Sequence, residues 1–455
     1  MTNPSWQNRD ASEVANLSHE YTFTNYSIQG PTRPRAVVTG GAGSYFWDAD
    51  GKRYLDFSSQ FICVNAGHNH PKIVEAICEQ AKRMCYISPP FTTHPRAELG
   101  RLLVEVTPPN LTKVFVSVSG ADANENALKM AKLFTGKHKI ISTYRSYHGS
   151  THGSASATGD SRHWAIEPAL PGVSHIPSPY CYRCDFGLEP SSCDIRCARY
   201  LGQIIEYEGV NNVAAFMVEG VNGSNGILFP HRDDYMTTIR RICDEAGILL
   251  IVDEVMSGFG RTGEWFAVDN WKVQPDIMTM AKGLTSSHLP LSAVAVSQEI
   301  ADYFDDNRFW LGTTYAHHPI SCAAAIATIN VYKEEKLIEN AKEQGKFLTG
   351  YLESMKDRHP SIGDVRGLGL FQFIELVKDR STKEPFGSST QPIAPWGYIS
   401  EVDAELLKRG VHMMAHPLGL FVAPPLCITR AELLEGLTKI EEVLSITTDT
   451  QCVHN

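Results

Sequence analysis

Short apolar runs alternate with longer stretches of mixed polarity along the chain. Runs too short to form a helix of their own predict buried strands. The clearest cover residues 114–118, 139–142, 248–252 and 277–281, and a further apolar run ends at Glu219. The pattern therefore predicts several buried strands whose ends are marked by small, polar or charged residues.

Other stretches predict a hairpin and a helix near the beginning of the chain. Asp50 and Gly51 form a turn signal between two apolar-aromatic runs, which predicts a small hairpin. Pro71 fits the first position of a helix, because its missing N–H costs nothing there. The apolar face of that helix is predicted to consist of Ile73, Ile77, Ala81 and Met84.

Two of the predicted strands present an ionisable residue at the carboxyl end, Asp253 in one case and Lys282 in the other. Ligands of open α/β sheets bind at this end of the strands. A partly desolvated lysine can form a Schiff base with an aldehyde, and an aspartate can keep a pyridinium nitrogen protonated. The two side chains therefore suit pyridoxal phosphate, although a buried ion pair or two unrelated surface charges would give the same pattern.

The residues around this pair are more specific. Residues 253–267, DEVMSGFGRTGEWFA, and residues 275–283, PDIMTMAKG, resemble two linked motifs of the class III (ω-type) aminotransferases. By that resemblance Lys282 is the Schiff-base lysine, Asp253 pairs with the pyridinium nitrogen, and Val255 packs on one face of the ring. Met256 stands where the family commonly has glutamine. The resemblance implies an α/β fold, the fold type I of pyridoxal phosphate enzymes, with a mostly parallel seven-stranded sheet.

A small-residue turn, Ser119-Gly120-Ala121, lies between a predicted strand and a predicted helix. Free N–H groups and the positive end of a helix dipole make such a place an anion site. The stretch resembles the phosphate-binding turn of the family. Ala121 stands where the family has a hydroxyl residue and Asp122 where it has glutamate, so one side-chain contact to the phosphate is expected to be lost.

Three further stretches extend the resemblance. Tyr147 and His148 match an aromatic-His pair whose aromatic ring stacks on the pyridine ring. Glu219 matches a glutamate beside the cofactor and the substrate pocket, although it could be a plain surface charge at a strand end. Thr314 matches a threonine that binds the phosphate of the neighbouring subunit's cofactor. The resemblance therefore implies a homodimer, or a dimer of dimers, with active sites at the interface.

The substrate pocket is less clearly defined by the sequence. Gln60, Phe61 and Ile62 lie in a stretch that forms part of the active-site mouth in the family, although core and turn roles fit them equally well. Many relatives place an arginine near the C-terminus to bind a substrate carboxylate, and the corresponding positions here are His416 and Phe421. A substrate with another distal group, such as a sulfonate or a plain amine, is therefore expected. Within the family, the sequence motifs most resemble those of the taurine–pyruvate type.

The chain divides into three predicted parts. Residues 1–60 would contribute to the small domain and the active-site mouth, with residues 1 to about 35 irregular. Residues 61–330 would form the large cofactor-binding domain. Residues 331–455 would form a small α+β domain with a long helix, residues 334–356, and a terminal helix beginning near Arg430.

Composition narrows the function classes further. The chain has 455 residues and a net charge of −10, which argues against a nucleic-acid partner. There is no long apolar run and no secretory signal pattern, so we expect no membrane span and a cytoplasmic protein. Four of the eleven cysteines have the spacing C-x2-C-x8-C-x3-C, which fits either a structural zinc or reduced or redox-paired thiols; they are Cys181, Cys184, Cys193 and Cys197.

The predicted activity is transamination. The donor amine would displace Lys282 from its bond to the cofactor. Lys282 would then act as general acid and base and move the proton between the donor carbon and the cofactor carbon. The donor would be taurine-like, β-alanine-like or a simple amine, and the acceptor pyruvate or 2-oxoglutarate, in a ping-pong cycle. A family member that is an epimerase or aminomutase is the alternative, and a non-catalytic relative is a third class.

Overall fold

The computed structural model describes residues 9–230, 232–388 and 396–451. Its helices are α1 (Ala11–Tyr21), α2 (Ser59–Ile62), α3 (Pro71–Arg83), α4 (His94–Val106), α5 (Gly120–Thr135), α6 (His152–Ala157), α7 (Arg196–Glu208), α8 (Tyr235–Ala246), α9 (Gln298–Asp306), α10 (Pro319–Glu334), α11 (Leu337–Arg358), α12 (Tyr398–Lys408) and α13 (Arg430–Gln451). Its strands are β1 (Val38–Ala42), β2 (Tyr45–Asp48), β3 (Arg53–Asp56), β4 (Leu111–Ser117), β5 (Lys139–Thr143), β6 (Val173–Ile176), β7 (Val213–Glu219), β8 (Leu249–Asp253), β9 (Ile277–Met280), β10 (Ser292–Ser297), β11 (Ile362–Leu368), β12 (Phe371–Asp379), β13 (Glu384–Pro385), β14 (Val411–His412), β15 (Ala415–His416) and β16 (Gly419–Val422).

The largest sheet has seven strands in the order β4-β10-β9-β8-β7-β5-β6. β10 runs antiparallel to both of its neighbours, and the other pairs are parallel. Alternate residues of β8 belong to different core clusters, Leu250 and Val252 to one and Ile251 to the other. A sheet that is covered on both faces requires apolar residues at every position, which explains the continuous runs. The predicted mostly parallel seven-stranded sheet is confirmed.

The early hairpin and helix are present, with two corrections. β2 and β3 pair across the Asp50-Gly51 turn as predicted, and Pro71 occupies the first turn of α3. Of the predicted apolar face, Ile73 is buried and Ile77 half-buried, but Ala81 is exposed. Met84 is the extended residue after the last turn and is 47% exposed. The prediction of an irregular stretch up to about residue 35 is wrong for residues 11–21, which form α1, where the carboxylate of Asp10 caps the helix by accepting the N–H of Glu13. Residues 1–8 lie outside the described residues.

Two smaller sheets flank the large one in the sequence. The first contains β1, β2, β3 and β14, so a strand from beyond residue 400 pairs in parallel with the early hairpin. The second contains β11, β12, β16 and β15, with β13 at the side of β12. The predicted long helix begins at Leu337, because Lys336 has φ +52° and separates α10 from α11. The division of the chain into three domains stays a prediction.

The carboxyl ends of the central strands lie at one level. Glu219 pairs with Asp253 across β7 and β8, and Asp253 pairs with Thr279 across β8 and β9. Lys282 follows β9 after one residue and begins a short 3₁₀ turn. The edge of the sheet therefore brings together side chains that are distant in sequence. None of the helices in the described ranges is long and apolar enough to cross a membrane.

Candidate active site

A cavity of about 480 Å³ opens at this edge of the sheet. That volume is in the range of ordinary cofactor pockets. Nine of the residues predicted from the sequence line it: Ser119, Gly120, Ala121, Tyr147, His148, Glu219, Asp253, Val255 and Lys282. Met256, which stands at the family's glutamine position, lines it as well.

Lys282 is held in an unusual backbone conformation, with φ +31°. The backbone beside it is closely packed, because a Cβ atom at Gly283 would lie 2.6 Å from the side-chain amide of Asn65 and 2.8 Å from Cβ of Phe259. The hydroxyl of Tyr332 donates to the Gly283 carbonyl oxygen at 2.5 Å. Burial lowers the pKa of the Lys282 ammonium to about 8. A neutral, nucleophilic amine is therefore available near neutral pH.

Asp253 is oriented by three donors. Its Oδ2 atom lies 2.7 Å from Nδ1 of His148 and accepts the side-chain amide of Asn124 at 2.7 Å. Its Oδ1 atom accepts the N–H of Val255 at 2.9 Å. Asn124 is fixed in turn, because its Oδ1 atom accepts the hydroxyl of Thr279 at 2.6 Å. The buried carboxylate is thus held in one orientation at the strand end.

The anion end of the cavity is the N-terminus of α5. Ser119 is the N-cap residue, and its hydroxyl accepts the N–H of Asp122, whose carboxylate accepts the Ser119 N–H in return. The N–H groups of Gly120 and Ala121 lie in the first turn, where a helix provides no acceptor. A Cβ atom at Gly120 would lie 2.9 Å from Cγ1 of Val255, so glycine leaves the space beside Val255 open.

Glu219 anchors the loop that carries Tyr147. One oxygen of its carboxylate accepts the Tyr147 N–H at 3.0 Å, and the other accepts the N–H of Gly223 at 2.7 Å. Burial raises the pKa of Glu219 to about 7, with a further contribution from the negative charge of Asp253. The glutamate therefore positions the Tyr147 ring, and its carboxyl group titrates near neutral pH.

The five residues predicted for the substrate pocket do not line this cavity. Ile62 and Phe421 are each 1% exposed and pack in one core cluster, so the core interpretation applies to them. Phe61 is 63% exposed, and the side-chain amide of Gln60 donates to Asp56. The ring of His416 packs edge-on against Phe421. Of the residues predicted for the substrate pocket, at least Ile62 and Phe421 therefore belong to the core.

Thr314 and the four spaced cysteines also lie outside the cavity. Thr314 is exposed, and its carbonyl oxygen accepts the hydroxyl of Tyr86 at 3.0 Å. Within the described ranges, no three His, Cys, Asp or Glu side chains form a group that could hold a metal ion. The structural zinc considered for Cys181, Cys184, Cys193 and Cys197 is therefore not supported. Burial raises the pKa of the Cys197 thiol to about 12.

Asn124, which lines the cavity, and Arg162, which packs on Tyr147, were not predicted from the sequence. Asn124 is a buried amide inside an otherwise apolar helix face, and its place directly after the anion turn was the available signal. Arg162 lies with its guanidinium carbon 3.7 Å from the centroid of the Tyr147 ring. In the sequence Arg162 belongs to no motif or periodic pattern, and no spacing rule connects it with Tyr147.

The arrangement fits pyridoxal phosphate. Asp253 provides a fixed acceptor for a protonated ring nitrogen, and Lys282 provides an amine of lowered pKa in the same cavity. The open space at Gly120 and the free N–H groups of α5 suit a phosphate. Val255 and Tyr147 provide an aliphatic and an aromatic surface for the two faces of a flat ring.

Comparisons with known proteins agree with this fit. Residues 27–444 match the family described as aminotransferase class-III. A leucine/methionine racemase of Thermococcus litoralis is 38% identical over 415 residues and covers 90% of each chain. A taurine–pyruvate aminotransferase of Bilophila wadsworthia is 34% identical over 450 residues, which is 96% of this chain and 98% of that protein.

A solved structure is similar over almost the whole length. It is taurine:2-oxoglutarate aminotransferase from Bifidobacterium kashiwanohense in complex with pyridoxal phosphate and glutamate. The TM-score is 0.92, the sequence identity is 39%, and 99% of each chain is covered. The chain therefore belongs to the class III aminotransferase family and is a pyridoxal-phosphate-dependent enzyme.

Proposed function

We propose that this enzyme transfers an amino group from an ω-amino acid, an ω-amino sulfonate or a simple amine to a keto acid such as pyruvate or 2-oxoglutarate. The two half-reactions would alternate at one site in a ping-pong cycle. The observation that carries the proposal is the joint presence of Lys282, with a pKa lowered to about 8, and the oriented carboxylate of Asp253 in one cavity.

Each residue has a separate task in this proposal. When bound, pyridoxal phosphate supplies an aldehyde that joins to amino groups and a ring that takes up electrons. Nζ of Lys282 would hold the cofactor between turnovers and then move the proton at the donor carbon. The carboxylate of Asp253 would keep the ring nitrogen protonated, and Glu219 would hold Tyr147 over the ring. The N–H groups of Gly120 and Ala121 would bind the phosphate.

Two relatives support the choice of substrates. One is named for taurine and pyruvate, and the other for taurine and 2-oxoglutarate. Taurine carries its amine at one end of a short chain and a sulfonate at the other. A donor of this type, with pyruvate or 2-oxoglutarate as acceptor, is therefore the first to test.

Amino-acid racemisation is the second candidate. The relative that is 38% identical is named a leucine/methionine racemase. Racemisation would use the same lysine to remove and return a proton at one carbon, and it would need no keto acid. The two candidates are separated by whether turnover depends on an acceptor.

A homodimer is part of the proposal. Thr314 is exposed at a distance from its own cavity, beside exposed aromatic side chains such as Tyr315, 59% exposed, and Trp310, 66% exposed. Aromatic residues are enriched at protein interfaces. A second subunit placed here would cover these rings and bring its Thr314 to the neighbouring phosphate.

The test is the visible absorption of the purified holoenzyme with taurine, β-alanine, L-alanine and propylamine added one at a time. We expect at least one donor to bleach the band of the lysine-bound cofactor, and a keto acid to restore it. Loss of optical rotation of L-leucine without any acceptor would favour racemisation instead. A protein that takes up no pyridoxal phosphate would refute both candidates.

A further inference from the structure

A donor that carries a carboxylate or sulfonate needs a cation at the far end of its pocket, and the family's usual position offers none. His416 is half-buried, and burial lowers its pKa to about 3, so the ring is neutral at physiological pH. Phe421 is apolar and belongs to the core. Among the described residues that line the cavity, Lys282 is the only lysine or arginine, and it is committed to the cofactor.

Arg162 supplies a cation beside a residue that lines the cavity. It lies in a 3₁₀ turn, Ser161–Ile166, and its guanidinium carbon is 3.7 Å from the centroid of the Tyr147 ring, which lines the cavity. Beside the larger effect of burial, its positive charge contributes to lowering the pKa of both Lys282 and His416. The guanidinium does not itself line the cavity. Its side chain is 30% exposed and packs on Tyr147, which does line it, so the arginine lies one side chain away from the cavity.

The hydrogen bonds of Arg162 leave one end of the guanidinium available. Nε donates to both carboxylate oxygens of Asp160 at 3.0 Å, and Nη2 donates to Oδ2 of the same residue. Across the part of the chain that the structure describes, Nη1 of Arg162 makes no hydrogen bond. A guanidinium has five N–H donors in a fixed fork, so two of them remain for an anion.

Hydrogen bonds from Asn225 and from the backbone of Arg162 fix the carboxylate of Asp160. The side-chain amide of Asn225 donates to Oδ2 of Asp160 at 3.0 Å and to the carbonyl oxygen of Arg145 at 2.7 Å. The N–H of Arg162 donates to Oδ1 of Asp160 at 2.9 Å. Because the carboxylate is held by these contacts, the arginine is pre-organised and little conformational entropy is lost when an anion binds.

We propose that Arg162 binds the distal carboxylate or sulfonate of the amino donor through Nη1, and that Asp160 and Asn225 are positioning residues for it. This inference rests on the proposed transamination and names the chemistry of its donor. Charge-assisted hydrogen bonds from arginine are short, and they suit the oxygens of both anions. Neutral amines would bind without this contact.

The experiment measures binding apart from turnover. Ethanesulfonate and propionate, which match taurine and β-alanine without the amine, are titrated into the holoenzyme by calorimetry. We expect Arg162→Gln to weaken their binding about 10- to 100-fold, in keeping with loss of a hydrogen bond to a charged group. Arg162→Lys should retain part of the affinity, since it keeps the charge but not the planar fork. Asn225→Ala should give an intermediate loss.

A matched control is Arg232→Gln, because Arg232 pairs with Asp234 at the same two-residue spacing. Unlike Arg162, it has no hydrogen bond, ion pair or ring contact with a residue that lines the cavity, among the described residues. It should leave the binding of both anions unchanged. The donor half-reaction adds a second readout. In Arg162→Gln the KM for taurine and β-alanine should rise, while the KM for propylamine stays the same. Whichever of ethanesulfonate and propionate binds the wild-type enzyme more tightly identifies the distal group as a sulfonate or a carboxylate.

Two outcomes would overturn the inference. Unchanged binding of both anions in Arg162→Gln would remove the role of the arginine. An equal rise of KM for propylamine and for the anionic donors would assign Arg162 to the support of Tyr147 alone. Neither outcome affects the proposed transamination, which the wild-type bleaching and its reversal by a keto acid test separately.

Discussion

The Nδ1 atom of His148 and the Oδ2 atom of Asp253 lie 2.7 Å apart, and both side chains are buried. The other ring nitrogen of His148, Nε2, lies 3.3 Å from the hydroxyl of Ser142. The imidazole is therefore fixed at both ends and cannot turn away from the carboxylate. Together with Asn124, it leaves the aspartate one orientation in which to meet a ring nitrogen.

Asp253→Asn should slow the donor half-reaction by roughly 10²- to 10⁴-fold, the range that a positioned acid–base group contributes. The amide cannot stabilise a protonated ring nitrogen by charge. Stopped-flow bleaching of the holoenzyme with the best donor measures the rate. Asp276→Asn is the control, because Asp276 lies at the opposite end of β9 and accepts the N–H of Leu250. A rate unchanged in Asp253→Asn would contradict the assigned role.

Lys282→Met should stabilise the apoenzyme at pH 7 by about 1–3 kcal/mol, since it removes a desolvated cation. The pKa of Lys282 is about 8 in the folded state, below its ordinary value of 10.5. The unfolded chain thus binds more protons between these two values, and wild-type stability rises with pH across that window. Chemical unfolding at pH values from 7 to 10 should show the difference in the free energy of unfolding between the wild type and the variant becoming smaller. A constant gap would argue against a depressed lysine pKa.

Glu219 and Glu254 allow a matched comparison, because burial raises the pKa of both to about 7. The folded state holds the proton more tightly than the unfolded state, so each lowers stability as pH rises from 4.5 to 7. Glu219→Gln and Glu254→Gln should both reduce this fall. Only Glu219→Gln should also slow the donor half-reaction, by about tenfold, since it loses one of two loop anchors. Equal slowing in both variants would point to a general loss of packing.

Two glycines of α11 should respond in opposite directions to alanine. At Gly350 the position that a Cβ atom would take has no neighbouring atom within 4 Å, so Gly350→Ala should raise the free energy of unfolding by about 0.5–1 kcal/mol. At Gly345 a Cβ atom would lie 2.4 Å from Cα of Gly369, so Gly345→Ala should lower it by about 1–3 kcal/mol. Urea unfolding measures both changes. Stabilisation by Gly345→Ala would show that the two backbones separate easily.

Mixing two altered variants tests the proposal that two subunits share each active site. A dimer of one Lys282→Ala subunit and one Thr314→Val subunit would contain one doubly altered site and one intact site. Random exchange should therefore restore high-affinity cofactor binding to about a quarter of all sites. Titration with pyridoxal phosphate after mild dissociation and reassociation measures the fraction. Absence of any restored sites in a mixture that contains heterodimers would place Thr314 with its own subunit's cavity.

Much of the large sheet and of the cofactor cavity could be predicted from the sequence. A strand buried on both faces must be apolar at every position, so β8 and β9 were visible as runs, and their ends were marked by Asp253 and Lys282. The anion turn at Ser119 was visible because three small residues lie between an apolar run and a predicted helix. These features depend on the local order of residues along the chain.

The surroundings of the cavity were decided by tertiary packing. Ile62 and Phe421 are far apart in the sequence but pack in one core cluster. Arg162 lies over Tyr147 with its guanidinium bonded to Asp160, which Asn225 holds in turn. Residue type alone does not distinguish a pocket wall from a core contact or a paired arginine from an available one. The sequence by itself determined the strand ends and the chemistry placed on them, because burial imposes a local pattern. Only the tertiary structure decided which distant side chains meet around that chemistry, because such contacts depend on how the elements pack.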